Sequence, residues 1–531
     1  MPSFFKWLIV FTFGFFLVRS FDLMILRGKY FRKLADENRI RKIILTPARG
    51  KIMDRNGENI ALNSVKYFDE NNKELGRNEG LKLESEGGKT KKFWVREYPL
   101  GKTLGHLTGY LSETSEEEIK NSKKCILFAG DTIGKSGVEQ YYDCLLRGER
   151  GEQLVETGAN GETIRVIAEK QAKAGEDLLL TIDSKWQKAV AESLESNIGA
   201  VVVLNPKNGE ILALYSFPSF DPEIFTKKRD EAAINKLLND QTFPFLNRAI
   251  SGAFHPGSVF KPVVATAGLE EGKITAATEF EDTGVIKIGE WQFTNWYWTD
   301  YGKTEGQVNL VKAIRRSNDI YFYKAGEETG AKFILKWAKI FGFGKKTGID
   351  LPAEINGFLP SPEWKEKAKG EKWFLGNTYH LSIGQGDLTV TPLQIAVETA
   401  VIANNGTKCT PHLNPNFCHS DAETSVEESL SCCQNLNIKP ETINLIKQGM
   451  TEACSEGGTG FPFFNFNPKV ACKTGTAEIN VNTKDTQAWF TLFYPVDNPE
   501  IVITVLLERG GSGAYDAAPV AKKIIELVNS E

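Results

Sequence analysis

The chain has 531 residues, 41% hydrophobic and 25% charged, with 64 Lys and Arg against 68 Asp and Glu. At about 150 residues per domain this allows two or three units with a sizeable core and excludes a mainly disordered chain. The near balance of charge lacks the basic surplus of a nucleic-acid binder, so no nucleic-acid partner is expected. No internal repeat points to a solenoid or propeller.

Trp7 to Val18 (WLIVFTFGFFLV) is an uncharged run of twelve, short of the ~20 residues of a membrane helix. Extended back to Phe4 it takes in Lys6, whose amine can snorkel to the interface. Forward, Arg19 and Asp22 flank Phe21 and Leu23–Leu26. A cleaved signal peptide has a core of this length, but Arg19-Ser20-Phe21 offers no small-residue cleavage site. An uncleaved signal anchor over residues 1–28 is therefore expected. Lys6 precedes the span, whereas Arg19, Arg27, Lys29, Arg32 and Lys33 follow it. That count alone places the bulk of the chain in the cytoplasm.

Tyr30 to Lys42 is basic and amphipathic, a helical stalk. Ile43 to Leu62 alternates around Asn56-Gly57 and reads as a hairpin. Residues 63–95 are polar and Lys/Glu-rich, a loop or very small subdomain. Tyr98–Leu111 and Ile133–Val166 suggest strands and short helices, so 29–176 reads as a small α+β module. A further domain, 177–531, opens with a strand-like Leu178–Ile182 and a helix capped by Asp183. Gly199–Leu204 and Glu210–Tyr215 form a hairpin across Pro206-Lys207-Asn208-Gly209. Helices dominate from about 256 to 400. Strands return at Lys469–Ile479, Ala488–Tyr494 and Ile501–Leu507, and Ala517–Val528 is a final helix. The fold class is α+β, an antiparallel sheet covered by helices.

Eight cysteines, at 125, 144, 409, 418, 432, 433, 454 and 472, permit disulfides in an exported domain, with the pairing open. Cys409-x2-His412 and Cys418-His419 resemble part of a zinc site, but the spacing matches no regular finger. No metal and no cofactor is expected.

Three polar motifs carry chemistry. Ser258-Val259-Phe260-Lys261 follows the chain break at Gly257. Lys261 at i+3 puts its amine on the face of the Ser258 hydroxyl, where burial and a helix N-terminus can make it a base. Ser317-Asn318-Asp319 offers a second hydroxyl to relay a proton between Lys261 and a leaving amine, with a carboxylate two residues on to hold it in place. Lys473-Thr474-Gly475-Thr476 reads as a strand, its positive charge and hydroxyls suited to a substrate carboxylate. Gly475 would let a substrate backbone approach. The amides of Ser258 and Thr476 could form an oxyanion hole. Each string alone is weak. Together they occur in order, 59 and 156 residues apart, the constellation of penicillin-recognising serine enzymes.

On these motifs the chain resembles the class B penicillin-binding proteins, monofunctional peptidoglycan transpeptidases, and most resembles their elongation type. NRIRKIILTPARGKIMDRNGENIALN, YPLGKTLGHLTGYLSE, IGKSGVEQYYDCLLRGERG and LLLTIDSKWQKAV look like pedestal segments and the approach to the catalytic domain. AVVVLNPKNGEILALYSFPSFDP, NRAISGAFHPGSVFKP and LSIGQGDLTVTPLQIA lie in that domain, and Asp319, LPSPEWK and GQGDLTVTPLQ resemble the elongation type. The resemblance implies a membrane anchor, a pedestal with a reduced head, and a transpeptidase domain with a five-stranded antiparallel sheet flanked by helices. It implies substrates that are stem peptides ending in D-Ala-D-Ala, binding of β-lactams, and a SEDS-family glycan polymerase as membrane partner. It also implies a single-pass protein of the cell (inner) membrane with the catalytic domain outside, against the charge count. A division-type transpeptidase would share the chemistry. A penicillin sensor or β-lactamase would share the fold, but no residue marks the water-activating base a β-lactamase needs. The head between the ALNS and REYPLG segments is short, and Cys472 stands where a small residue usually precedes Lys-Thr-Gly.

Overall fold

The computed structural model describes residues 3–530 except 70, 72, 89, 124, 159–161, 195–196, 227–229, 420–431 and 481–484, and without the side chains of 34–38, 74, 93, 419 and 480. By contacts the chain forms two units, Met1–Gly50 with Cys144–Glu176, and Lys51–Asp143 with Asp177–Glu531.

In the first unit the apolar run is longer than its uncharged core. Ser3–Phe21 is α-helical and continues as a wide turn over Asp22–Leu26, 24 residues in all. At 1.5 Å per residue this is about 36 Å, enough to cross a hydrocarbon core. The helix buries none of its side chains, as a lipid-facing segment should. Asp22 fits because Arg19 (2.8 Å) and Arg27 (3.2 Å) pair with it. The stalk ends sooner than expected: Gly28–Arg39 is helical, but Ile40–Leu45 is a strand. Its isoleucines at 40, 43 and 44 favour strand, and it pairs antiparallel with Gly151–Thr157, which pairs with Thr163–Lys170. Ile40–Leu45 is thus not an arm of the expected hairpin.

The hairpin itself is shorter and lies in the second unit, where Ile52–Met53 pairs with Asn59–Phe68. Buried Asp54 closes its turn, accepting from the amides of Asn56 (2.9 Å) and Glu58 (2.8 Å). Asn59–Phe68 then pairs with Lys91–Glu97, and the Arg77–Ser85 helix packs on it. The polar segment is therefore a very small subdomain rather than a loop. Beneath it Arg96 donates to Glu139 at 2.7 Å, both side chains almost wholly out of solvent. Glu139→Ala strands a buried guanidinium and is expected to cost about 3–5 kcal/mol of stability in a denaturant titration.

The catalytic sheet has five antiparallel strands in the order Ile211–Phe217, Gly199–Leu204, Ile501–Leu507, Asp485–Tyr494, Ala471–Asn480. Asp183 caps the Ser184–Leu194 helix as expected, accepting from the amides of Lys185 and Trp186. That helix and Ala518–Ser530 cover one face through Val190, Leu194, Ile524 and Ile525, packed on Val201, Val203, Ile503 and Val505. The other face is covered by Pro392–Ala403, buried along its whole length. The block from 256 to 400 is less uniformly helical than its sequence suggested. Glu279–Asp282 pairs with Gly306–Asn309, and Val285–Ile288 with Trp291–Thr294.

Candidate active site

The nucleophile motif sits on a tight turn before a buried helix. Gly257–Phe260 is a 3-10 turn and Lys261–Glu270 the α-helix that continues it, with Pro262 in its first turn, where a missing amide hydrogen costs nothing. Gly257 adopts φ +56°, its amide donates to Gly384 O at 2.9 Å, and Gly384 lies too close for a side chain. The turn leaves Ser258 half-buried while Lys261 is fully buried.

The second motif joins two helices. Leu310–Arg316 ends at Ser317, held at φ +54°, a left-handed conformation uncommon for serine. Asn318 caps the next helix, Asp319–Thr329, accepting from the Tyr321 amide at 2.9 Å. A buried network that the sequence did not disclose braces this corner. Asp282 Oδ2 accepts from Asn295 Nδ2, Asn318 Nδ2 and the Glu305 amide, each at 2.9 Å. Asn295 Oδ1 accepts from the Asp319 amide at 3.1 Å, and Asp319 Oδ2 accepts from the Trp296 amide at 3.1 Å. Asn318 and Asp319 lay within a recognised motif; Asp282 and Asn295 carried no local signal.

The third motif lies on the edge strand of the sheet, Ala471–Asn480. Its Gly475 meets the protein rather than open space. A Cβ there would lie 3.0 Å from Pro256 O and from Val259 Cγ1, so the glycine lets the strand close against the nucleophile turn. Thr474 Oγ1 donates to Thr459 Oγ1 at 2.9 Å, and Thr476 Oγ1 accepts from the Gly513 amide at 3.2 Å.

The three motifs converge at Ser317. Lys261 Nζ donates to Asp319 Oδ1 and to Ser317 O, both at 2.7 Å, and approaches Ser317 Oγ at 3.4 Å. From the other side Lys473 Nζ donates to Ser317 Oγ at 2.8 Å and to Thr474 O at 2.8 Å. The expected contact between Lys261 and the Ser258 hydroxyl is not among the described hydrogen bonds; the amine is turned to Ser317 and Asp319. Burial pushes the Lys261 amine down from the ordinary lysine range, and Asp319 pulls it back. Burial and the Lys261 charge hold Lys473 well below that range, with Asp319 and Glu398 opposing. Two buried amines with weakened protons, bridged by one hydroxyl, can take up and pass on a proton beside a serine.

The cysteines are disulfides. Cys409 pairs with Cys433, Cys418 with Cys432, and Cys454 with Cys472, and no cysteine is free. His412, Cys418 and Cys432 lie within 4.8 Å of one another, but both sulfurs are spent on the bond between them. The His419 side chain lies outside the described residues. The unusual Cys472 ties the strand of the third motif to Cys454, beyond the Pro440–Ala453 helix.

A serine on a helix-opening turn, a buried lysine pair bridged by a second serine and an edge strand closed against them suit a serine acyltransferase. The penicillin binding protein transpeptidase domain profile matches residues 199–526, and the penicillin-binding protein dimerisation domain profile matches 65–180. The chain is 36% identical over 455 residues to a peptidoglycan D,D-transpeptidase MrdA of Haemophilus influenzae, covering 82% of this chain and 69% of that one. It is similar to the penicillin-binding protein PBP2 in its complex with MreC from Helicobacter pylori, with a TM-score of 0.79 at 26% identity over 92% of this chain and 98% of that one. A chain from a structure of polymerization and crosslinking by a peptidoglycan synthase complex gives a TM-score of 0.79 at 26% identity, covering 99% and 98%. The chain belongs to the penicillin-binding protein transpeptidases.

Proposed function

We propose that Ser258 is the nucleophile of this enzyme, a serine-type peptidoglycan D,D-transpeptidase of the elongation type that cross-links stem peptides and is acylated by β-lactams. The observation that carries the assignment is the buried chain from Asp319 through Lys261 and Ser317 to Lys473, one helical turn from Ser258. Lys261 takes the Ser258 proton as Oγ attacks the carbonyl between the two terminal D-alanines. The tetrahedral oxyanion is held by the amides of Ser258 and Thr476. Ser317 carries the proton on to the departing amine, the C–N bond breaks, and D-alanine leaves. An acceptor amine then attacks the ester, gives up a proton along the same route and frees Ser258. Asp319 positions Lys261, while Lys473, Thr474 and Thr476 hold the donor carboxylate and Gly475 lets their strand close against Ser258. An edge strand suits an extended peptide laid alongside it.

Residues 1–28 form the membrane anchor, 29–176 the pedestal and 177–531 the transpeptidase domain, which faces outward from the cell membrane. Disulfides at Cys409–Cys433, Cys418–Cys432 and Cys454–Cys472 support that side of the membrane, because such bonds persist in oxidising compartments. The anchor and its stalk would meet a SEDS-family glycan polymerase, a partner favoured by the likeness to a peptidoglycan synthase complex. Protease added to intact spheroplasts should degrade the region after residue 40. Protection until the membrane is lysed would overturn the orientation.

A further inference from the structure

Glu398 is a buried acid with no role in the chemistry above. It sits on the Pro392–Ala403 helix behind the catalytic sheet, 1% exposed. Its Oε1 is buried and makes no hydrogen bond among the described residues, while Oε2 accepts from Thr399 Oγ1 at 3.3 Å. Thr399 Oγ1 lies 2.8 Å from Thr491 Oγ1, which lies 2.7 Å from Thr504 Oγ1. Thr491 is the direct cross-strand partner of Lys473, and such partners share a face of the sheet. A half-satisfied carboxyl and a line of hydroxyls thus reach the side of the sheet on which Lys473 is buried.

A carboxyl left unpaired in such a place is costly unless a charge answers it. Other charged groups on the surrounding elements are engaged elsewhere. Arg248 pairs with Glu508, Lys336 with Glu271, and Lys447 is held by Ala403 O and Asn405. On the flanking helix Glu452 reaches Arg315 and Gln448. Lys408, on Thr407–Cys409, faces the charge of Lys345. Lys473, cross-strand partner of Thr491 and buried on the same side of the sheet, is the cation left to answer Glu398.

We propose that Glu398 is a positioning residue, the buried counter-charge that keeps Lys473 an ammonium while a substrate carboxylate is bound. Lys473 and a protonated Lys261 together outnumber the single Asp319 carboxylate, and Glu398 makes up the difference when ionised. Burial pushes its carboxyl up to about 8, opposed first by the Thr399 hydroxyl and then by Lys473. Below that pH Glu398 is a neutral acid, little different from glutamine. Above it the carboxylate supports Lys473.

This inference rests on Lys473 as the carboxylate anchor. The test is the second-order rate of acylation by benzylpenicillin, followed from pH 6 to 9 on the full-length, detergent-solubilised protein and on folded Glu398→Gln. The two rates should agree within twofold at pH 6 and diverge to about tenfold at pH 9, an alkaline limb moved down by about one unit. A uniform loss across the range means a packing role, and superimposable profiles mean no role; either overturns the proposal. Should Glu398→Gln fail to fold, Thr399→Val carries the test. Losing the hydroxyl that donates to Glu398 should move the limb the same way by a smaller amount, and an unmoved limb overturns the proposal. Lys473→Ala separates the two readings. If it acylates normally, the anchor assignment fails; if it is impaired while Glu398→Gln matches wild type, only the counter-charge fails.

Discussion

Ser258→Ala is expected to abolish covalent labelling by a fluorescent penicillin while the protein stays folded. In the proposed mechanism this hydroxyl forms the acyl bond, and without it the Lys261–Ser317–Lys473 chain has nothing to activate. The structure says why stability should survive. Ser258 is half-buried, and no described hydrogen bond uses its side chain, so the substitution removes one atom and breaks no described bond. The turn itself is fixed by Gly257 and its bond to Gly384 O at 2.9 Å, which alanine at 258 leaves in place. Gel fluorescence against a melting curve reads both outcomes at once, and undiminished labelling of a folded variant would remove Ser258 from the mechanism.

Lys473→Ala should slow acylation by at least a hundredfold, with Ser317→Ala in the same range. Removing one buried donor from a developing charge typically costs about 3 kcal/mol in the transition state, roughly two powers of ten in rate. Lys473 does two things that alanine cannot. It donates to Ser317 Oγ at 2.8 Å, which orients that hydroxyl, and in the proposed mechanism it supplies the charge for a substrate carboxylate. Lys473→Arg should not restore the rate, because the buried ammonium donates to Ser317 Oγ and Thr474 O from a single nitrogen, a geometry that a planar guanidinium does not reproduce. Stopped-flow acylation rates within a few-fold of wild type would make Lys473 a structural residue.

Much of this site was legible because its chemistry is local in sequence. Ser258 and Lys261 are one helical turn apart, and Lys473 to Thr476 occupy one strand, so spacing alone placed each group. The sheet was legible for a similar reason: Gly199–Leu204 is apolar throughout, Ile501–Leu507 is apolar but for Thr504, and Asn208-Gly209 marks a turn. What was not legible depends on contacts between distant segments. Asp282, Asn295 and Asn318 meet only after the short strands at 279–309 fold back on the Ser317 corner. Glu398 stands beside Thr399 in a largely apolar helix and acquires meaning only from Lys473 on the facing side of the sheet. The direction of the Lys261 amine, toward Asp319 rather than Ser258, was equally hidden, since spacing fixes a face and not a partner. Ile40–Leu45 was misjudged because the basic, amphipathic pattern of the stalk runs on into a strand whose partner, Gly151–Thr157, lies more than a hundred residues away.

The most direct measurement is mass-spectrometric mapping of the peptide modified when the full-length protein reacts with penicillin. The expected adduct lies on Ser258, in the peptide containing His255-Pro256-Gly257-Ser258-Val259-Phe260-Lys261, with Ser317 unmodified. An adduct on Ser317 or any other residue, with Ser258 free, would contradict the assignment.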